Sequence, residues 1–537
     1  MKFNSERSSY MRCDSETGDM LDYKDSDAAV LTDSERPRQP NSENRDERSA
    51  PGGWTLTLVL AGVTCCLGSA VPAGFNGGVL NNAADLIGGF CNESVKERYG
   101  VEVSENGLKI IWSTVVSIFL IGGAVGSFLA SWVSDRYGRK GGLCAGNMFG
   151  IIGAGMLFLV RKLNSIELLL AGRLLSGFSG GIATCIVPMY MAEIAPLRLR
   201  GAVGVLCQLG ITSGVFLGQI AGLNTVLGTE NSWDFMLAAF APLCMCALVL
   251  TSTVLPESPK YLFIIRDQKQ KALDELSRIR NMDVMLLQVE ISSLEQEAEM
   301  KTTAEPWTIK RILKDPALQL PLFLVCTIQF GQQMSGINFV FYYSNPIFLD
   351  AGLGNTGAQY ATLATGAVNM AMALVSVPVM SSFNRRGVLL SSIYLCFGCL
   401  IILCIALKLS YLSSSVSIIC TVTILAYVIF YGIGLGPIPY FIGSELFDVG
   451  PRPAAMALGS VFNWGGNFLV GMLFPTVEHL MGPYAFLIFV VALFFLELVV
   501  RIYLPETRGK DTMDVTTSIS QGFKSRPNCS RAYANAA

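Results

Sequence analysis

Twelve runs of about 20 mainly apolar residues, each long enough to cross the hydrocarbon core of a bilayer as a helix, dominate this 537-residue chain. Six lie near 55–78, 108–132, 141–160, 165–190, 202–224 and 234–255, and six near 318–343, 358–380, 388–408, 414–443, 454–476 and 483–504. Charged residues are only 15% of the chain and the mean hydropathy is +0.47, which excludes a disordered chain and most soluble enzymes. A net charge of −2 leaves no basic footprint for nucleic acid. The single histidine, His479, excludes any site built on two, and the cysteines scattered through apolar runs read as small apolar residues. Neither a metal nor a cofactor is expected.

The polar segments set the organisation. Residues 1–53 carry 12 acidic and 8 basic residues and read as a disordered cytosolic tail. Residues 54–255 and 318–504 form an N-terminal and a C-terminal six-helix bundle, and 505–537 a second cytosolic tail. Between the bundles, the linker 256–317 holds ten Lys or Arg, and over 266–300 it mixes charged and apolar residues at helical spacing, which predicts short amphipathic helices under the membrane. With twelve spans, the linker and the clusters Arg136/Arg139/Lys140, Arg198/Arg200, Arg385/Arg386 and Arg508/Lys510 share one side. A smaller set (Lys96, Arg98, Arg161, Lys162, Lys408) falls on the other. The positive-inside rule then places both termini in the cytosol. Asn92-Glu93-Ser94 is a glycosylation sequon on the opposite side. The predicted fold is an all-α polytopic membrane protein of twelve transmembrane helices in two six-helix bundles.

The halves echo each other at about 250 residues. Glu193 precedes Arg200 by seven residues, and Glu445 precedes Arg452 by seven. Pro256-Glu257-Ser258 ends one half and Pro505-Glu506-Thr507 the other, and Asp135-Arg136-Tyr137-Gly138-Arg139-Lys140 has a degenerate counterpart in Asn384-Arg385-Arg386-Gly387. Two bundles of matched orientation imply an axis along the membrane normal, the arrangement of major facilitator transporters, with the substrate site at midplane between the halves. Asp135, Arg136, Arg139, Glu193, Arg200, Glu445 and Arg452, at helix ends, are candidates for ion pairs that close one side and break when the halves rock apart. The alternative is snorkelling charges that only anchor helix ends.

Polar groups in hydrocarbon need a partner or a wet cavity, and this chain buries many carboxamides in its apolar runs. Gln208 lies in the fifth run, Gln332, Gln333 and Asn338 in the seventh, Asn369 in the eighth, and Asn463 and Asn467 in the eleventh. Gln333, Ile337 and Phe341 share a helix face if the helix is regular, as do Asn463 and Asn467, with Trp464 beside them. A carboxamide both donates and accepts, which suits a neutral ligand ringed with hydroxyls, and aromatic rings suit its C–H faces. The competing reading is interhelical glue without a ligand. In the tenth run, Gly434, Gly436, Pro437 and Pro439 predict a broken helix, with Pro437 and Pro439 candidates for a gating hinge and a static kink as the alternative.

Over 54–510 the chain resembles the sugar porter family, specifically the animal facilitative hexose transporters. The likeness rests on the basic loop at 135–140, Gly172-Arg173-Leu174, Pro188-Met189-Tyr190-Met191-Ala192-Glu193, Pro256-Glu257-Ser258-Pro259-Lys260-Tyr261-Leu262, Gln332-Gln333-Met334-Ser335-Gly336-Ile337-Asn338, Gly436-Pro437-Ile438-Pro439, Gly450-Pro451-Arg452-Pro453 and Pro505-Glu506-Thr507-Arg508-Gly509-Lys510. The resemblance implies alternating access and passive hexose transport in the plasma membrane. It implies sugar contacts at Gln208, Gln332, Gln333, Asn338, Asn369 and Asn467, apolar walls at Phe341 and Trp464, and an outer gate at Tyr342 and Tyr343. Two positions depart from many glucose members: Gly432 stands where they carry glutamate, and Tyr440 where they carry tryptophan. The expected partners are the lipid bilayer and a hexose, D-glucose first, with fructose or a broad hexose range as the alternative. Asn76 stands where proton-coupled relatives carry aspartate, and it cannot titrate, which favours uncoupled flux over a symporter. A non-transporting sugar receptor is less favoured because the tails are short. No Ser/His/Asp set, paired carboxylates or phosphate loop supports an enzyme.

Overall fold

The computed structural model of the protein describes residues 53–301, 307–341, 348, 354–409, 414–519 and 521–525. These are helical, with no strand among the described residues. Ten helices among them are long and apolar enough to cross a membrane. One, Glu105–Leu159, would run about 80 Å at 1.5 Å per residue, against a core of about 30 Å. It turns at Gly138, whose φ of 84° and ψ of 176° are not helical, and so makes two crossings. Pro316–Gln333 supplies a further one. The twelve spans are α1 (Leu56–Ala83), α2 and α3 (105–137 and 139–159), α4 (Ile166–Ile194), α5 (Leu197–Ala221), α6 (Trp233–Thr253), α7 (Pro316–Gln333), α8 (Asn355–Ser382), α9 (Arg385–Leu409), α10 (Ile418–Leu446), α11 (Arg452–Met481) and α12 (Phe486–Tyr503). Among the described residues, then, the fold is a twelve-helix membrane fold of two bundles.

Within the first bundle α1 packs on α5 and α2 on α4; within the second, α7 packs on α11 and α8 on α10. Small residues make these contacts close. A Cβ on Gly74 would lie 1.9 Å from the Ile211 carbonyl oxygen, and one on Gly214 2.1 Å from that of Val71, so α1 and α5 touch backbone to backbone. The bundles meet along two seams, α2 against α11 and α5 against α8. Large apolar side chains face outward, among them Phe128 and Trp132 on α2 and Phe494 and Phe495 on α12, as lipid-facing surfaces require.

Between the bundles, helices Lys269–Arg280 and Gln288–Lys301, with the turn Val284–Leu287 between them, bury Leu276, Leu294 and Leu287 against Tyr261 and Phe263. Arg280 ties them to the first bundle, donating to the Ile194 carbonyl at 2.7 Å while holding Glu290 at 2.9 Å. On the opposite face, the segment after α1 is itself a helix, Ala84–Tyr99, and Asn92 is exposed on it. α10 is broken: regular helix stops at Ile433 and resumes at Ile438.

Candidate functional site

A cavity lies between the bundles, walled by α1, α2, α4 and α5 on one side and by α7, α8, α10 and α11 on the other. Gln208, Gln333, Ile337, Asn338, Phe341, Asn369, Tyr440, Asn463, Trp464 and Asn467 all line it. Gln332 does not. It is fully buried behind the wall, where its Nε2 donates to the carbonyls of Gly436 at 2.6 Å and Leu435 at 3.2 Å. Proline explains these acceptors. Pro439 has no N–H to offer the carbonyl four residues back, that of Leu435. The N–H of Tyr440 turns to Pro437 O at 3.3 Å, which leaves Gly436 O to a side chain.

The carboxamides of α7 and α11, with that of Asn338 just beyond the end of α7, form one chain of bonds. Asn338 Nδ2 donates to Gln333 Oε1, Gln333 Nε2 to Asn463 Oδ1 at 2.9 Å, and Asn463 Nδ2 to Gln332 Oε1 at 2.6 Å and Gln329 Oε1 at 2.8 Å. Gln329 Nε2 in turn donates to the Pro439 carbonyl at 2.8 Å. The network locks α7 and α11 to the broken stretch of α10. It also fixes which amide atoms face inward. Two carboxamides in the wall keep capacity for a ligand: among the described residues, Asn369 Oδ1 is buried without a partner and none bonds the Gln208 carboxamide. The first bundle contributes mostly small and apolar wall, with Thr184 and Thr212 as its hydroxyls. Phe119, Thr184 and Tyr431 were not singled out by sequence. A threonine that bonds the carbonyl three residues back, as Thr184 does to Gly181 at 3.1 Å, carries no signal that separates it from any other helical threonine. Among the described residues, no Asp, Glu, Lys, Arg or His lines the cavity.

The candidate gating charges gather at the linker-side face, where the glutamates meet arginines of neighbouring helices. Glu193 is held bidentately by Arg139, at 2.8 and 2.9 Å, and reached at 3.4 Å by Arg452 from the other bundle. Glu445 faces Arg385 at 3.5 Å, and Arg200 faces Asp511 at 3.8 Å. Each glutamate stands at the end of one helix and each arginine near the start of the next, and each finds its partner on another element. The local network occurs twice. Ser258 donates to Glu193 at 2.5 Å and Thr507 to Glu445 at 2.5 Å. Glu257 accepts the backbone N–H of Arg139 at 3.0 Å and Glu506 that of Arg385 at 2.9 Å. Burial pushes the Glu257 carboxyl above its ordinary range. Arg136 is exposed and lends its carbonyl to Arg266, and the Asp135 carbonyl accepts from Tyr261 at 3.4 Å. Pro437 and Pro439 frame the α10 break. Tyr342 and Tyr343 lie outside the described residues.

At the position of interest for coupling, Asn76 is buried; its carbonyl accepts from Arg173 Nη1 at 2.8 Å and its Oδ1 from the same nitrogen at 3.4 Å. The Arg173 guanidinium also lies 4.6 Å over the Phe119 ring.

The family model described as "Sugar (and other) transporter" matches residues 61–518. The chain is 37% identical over 465 residues to solute carrier family 2, facilitated glucose transporter member 3 of Rattus norvegicus, covering 86% of this chain and 92% of that one. It is 38% identical over 481 residues to member 4 of Homo sapiens (88% and 92% covered) and 35% over 474 residues to member 5 of Equus caballus (88% and 94%). Among solved structures, the major facilitator proton:xylose symporter XylE bound to 6-bromo-6-deoxy-D-glucose matches with a TM-score of 0.73 at 21% identity, over 86% of this chain and 98% of that one. The inward open xylose transporter XylE from E. coli matches at 0.62 and 21%, over 86% and 99%; these likenesses are of fold. A cavity between two repeated bundles, a family model spanning most of the chain and relatives matched nearly end to end lead to one conclusion: the chain belongs to the sugar transporter family, among the proteins of solute carrier family 2, and is a membrane transporter rather than an enzyme.

Proposed function

We propose that this protein carries a hexose, D-glucose first, across the plasma membrane by alternating access and without ion coupling, its linker-side face in the cytosol. The observation that carries the reading is the charge-free cavity between the bundles, lined by carboxamides from α5, α7, α8 and α11 and by the rings of Trp464, Tyr440 and Phe341. Hydroxyls of a sugar exchange both donor and acceptor roles with such amides, and the rings cover its C–H faces. An epimer leaves one buried group unpaired, which is how such a site discriminates. Millimolar binding, about −4 kcal/mol, suits a carrier that must also release.

Three features support the remaining parts. Cross-bundle bonds lie on both sides of the cavity: Arg452 to Glu193 on the linker side, and Asn81 Nδ2 to the Phe341 carbonyl at 2.7 Å on the other. Rocking that breaks one set at a time exposes the cavity alternately. Asn76, in place of the aspartate that proton-coupled relatives carry, has no proton to exchange in this range of pH. The excess of Lys and Arg on the linker side favours the cytosol for that face, and exposed Asn92 then faces outward for glycosylation. A second reading, fructose or a broad hexose range, draws on Gly432 and Tyr440, which remove a carboxylate and shrink an aromatic plate. Uptake of labelled D-glucose, D-fructose and L-glucose into liposomes holding the purified protein tests both. Saturable D-glucose uptake with L-glucose excluded is expected; equal uptake of both enantiomers, or none of any sugar, contradicts the reading.

A further inference from the structure

Beside the cavity, the α2–α11 seam holds a cluster of neutral side chains that joins two lining residues, Thr184 and Trp464, to Ser127 and Ser460, which the carrier reading does not use. Ser127 Oγ on α2 lies 2.8 Å from Ser460 Oγ on α11, and Ser460 Oγ lies 3.1 Å from Thr184 Oγ1 on α4. Trp464 Nε1, one turn along α11 from Ser460, donates to Thr184 Oγ1 at 3.2 Å. All four residues are buried. The indole enters the first bundle like a knob: a Cβ on Gly123 would lie 2.4 Å from it, and Phe119 meets it edge-on at 5.5 Å between centroids. Along α2, Ser127 is two turns closer to the linker side than Phe119, and along α11 Ser460 precedes Trp464 from the same side. The cluster therefore lies at the linker-side floor of the cavity, with the sugar-facing indole as its top layer.

We infer that Ser127, Thr184 and Ser460 form a hydroxyl seal that closes the linker-side floor of the sugar cavity, and that Thr184 is the positioning residue that holds the Trp464 indole across the seam. The inference rests on the carrier reading above and extends it to the step that opens the cavity inward. The hydrogen-bond arrangement suits a contact that breaks and reforms. Ser127 reaches the Gly123 carbonyl at 2.8 Å and Thr184 the Gly181 carbonyl at 3.1 Å, both within the first bundle. When the bundles part, these two hydroxyls keep a partner, and only Ser460 and Trp464 exchange theirs for water in a wet cavity. The seal is uncharged, so it opens without the desolvation changes that ion pairs undergo. A sugar stacked on the indole touches the seal directly, which gives the ligand a route to the floor that the ion pairs farther out lack.

The test is a reversible cross-link. In the double variant Ser127→Cys/Ser460→Cys, oxidation is expected to join the two halves, scored on a non-reducing gel after proteolysis in the 256–317 linker, and to stop equilibrium exchange of labelled D-glucose; reductant restores it. Wild type, treated identically, keeps its exchange. A cross-linked protein that still exchanges sugar at the wild-type rate overturns the inference, and so does failure of the pair to cross-link. Absence of flux in untreated wild type refutes the carrier reading instead, and is told apart because the cross-link is scored independently of flux. As a second variant, Thr184→Val removes the acceptor at nearly constant shape. It shifts the carrier toward the inward-open state, so the half-saturation concentration from outside rises and that from inside falls, each by about threefold to tenfold, the size of one lost neutral hydrogen bond. Thr184→Ser restores both values. Equal movement of both, or no rescue by serine, marks a merely structural role and overturns the positioning.

Discussion

Single carboxamides in this protein do two different jobs, and the difference is measurable. Gln332 is spent on backbone carbonyls of the α10 break. Gln332→Leu leaves those carbonyls unpaired in a buried setting, so it is expected to cost about 1–3 kcal/mol of stability, read as a lower melting temperature in detergent. Gln208 faces the cavity without a protein partner among the described residues. Gln208→Ala is expected to leave melting unchanged and to raise the half-saturation concentration for D-glucose about tenfold, the worth of one sugar hydrogen bond. A melting shift for Gln208→Ala as large as that for Gln332→Leu would contradict the division. Sequence reasoning found these amides as a set because polar groups in hydrocarbon demand partners. It did not separate the two jobs, since the orientation of Gln332 is set by proline-freed carbonyls about a hundred residues away. At Gly432, a Cβ would lie 2.6 Å from Met372 Cβ and 3.8 Å from Asn369 Oδ1. Gly432→Glu therefore needs Met372 to move, and then adds an acceptor beside Asn369. The expected outcome is a change of about tenfold in the ratio of D-glucose to D-fructose uptake; an unchanged ratio shows that this corner does not read the substrate.

At the scale of elements, α10 carries the most unusual design. Two prolines and two glycines within six residues interrupt it beside the cavity, and the amide network of α7 and α11 fills the gap. Restoring both N–H groups, with Pro437→Ala and Pro439→Ala together, lets the helix pair its own carbonyls and releases Gln332. Flux is expected to fall at least about tenfold while equilibrium sugar binding persists, because a continuous helix resists the bend; an unchanged transport rate counts against a hinge. The break itself was legible, since glycine and proline act locally. The helix pairing of the charged ends was not. The sequence offers the charged ends as a set without saying which meets which: Glu193 ends α4 facing Arg139 and Arg452, because partners at helix ends are chosen by which helices adjoin. The hydroxyl cluster on α2, α4 and α11 had no sequence signal for the same reason: serine and threonine satisfy themselves on their own helices until a second bundle is brought against them.

For the whole molecule, Asp448, in the turn between α10 and α11 where its carbonyl accepts the Arg452 backbone N–H at 3.1 Å, ties stability to pH. Burial raises the Asp448 carboxyl above the usual carboxylate range, with Arg452 pulling the other way. A folded value above the unfolded one adds stability that is present below the unfolded value and lost as pH rises through the folded value. Asp448→Asn removes that loss, so its melting temperature relative to the parent is expected to be higher at about pH 8 than at about pH 4; the reverse order would show that Arg452 outweighs burial. Twelve spans and two matched halves were legible from run length and from the 250-residue echo, since bilayer thickness and chain repetition are both linear features. The cavity is a product of how the halves lean together, and no linear feature reports that. The claim on which the account turns is that sugar moves through this cavity downhill, with no titratable group coupled to it. Labelled D-glucose uptake into proteoliposomes, followed to its plateau under an imposed inward proton gradient, tests it most directly. A plateau equal to the outside concentration is expected whether or not the gradient is present; accumulation above that level that follows the gradient shows coupled transport and overturns the claim.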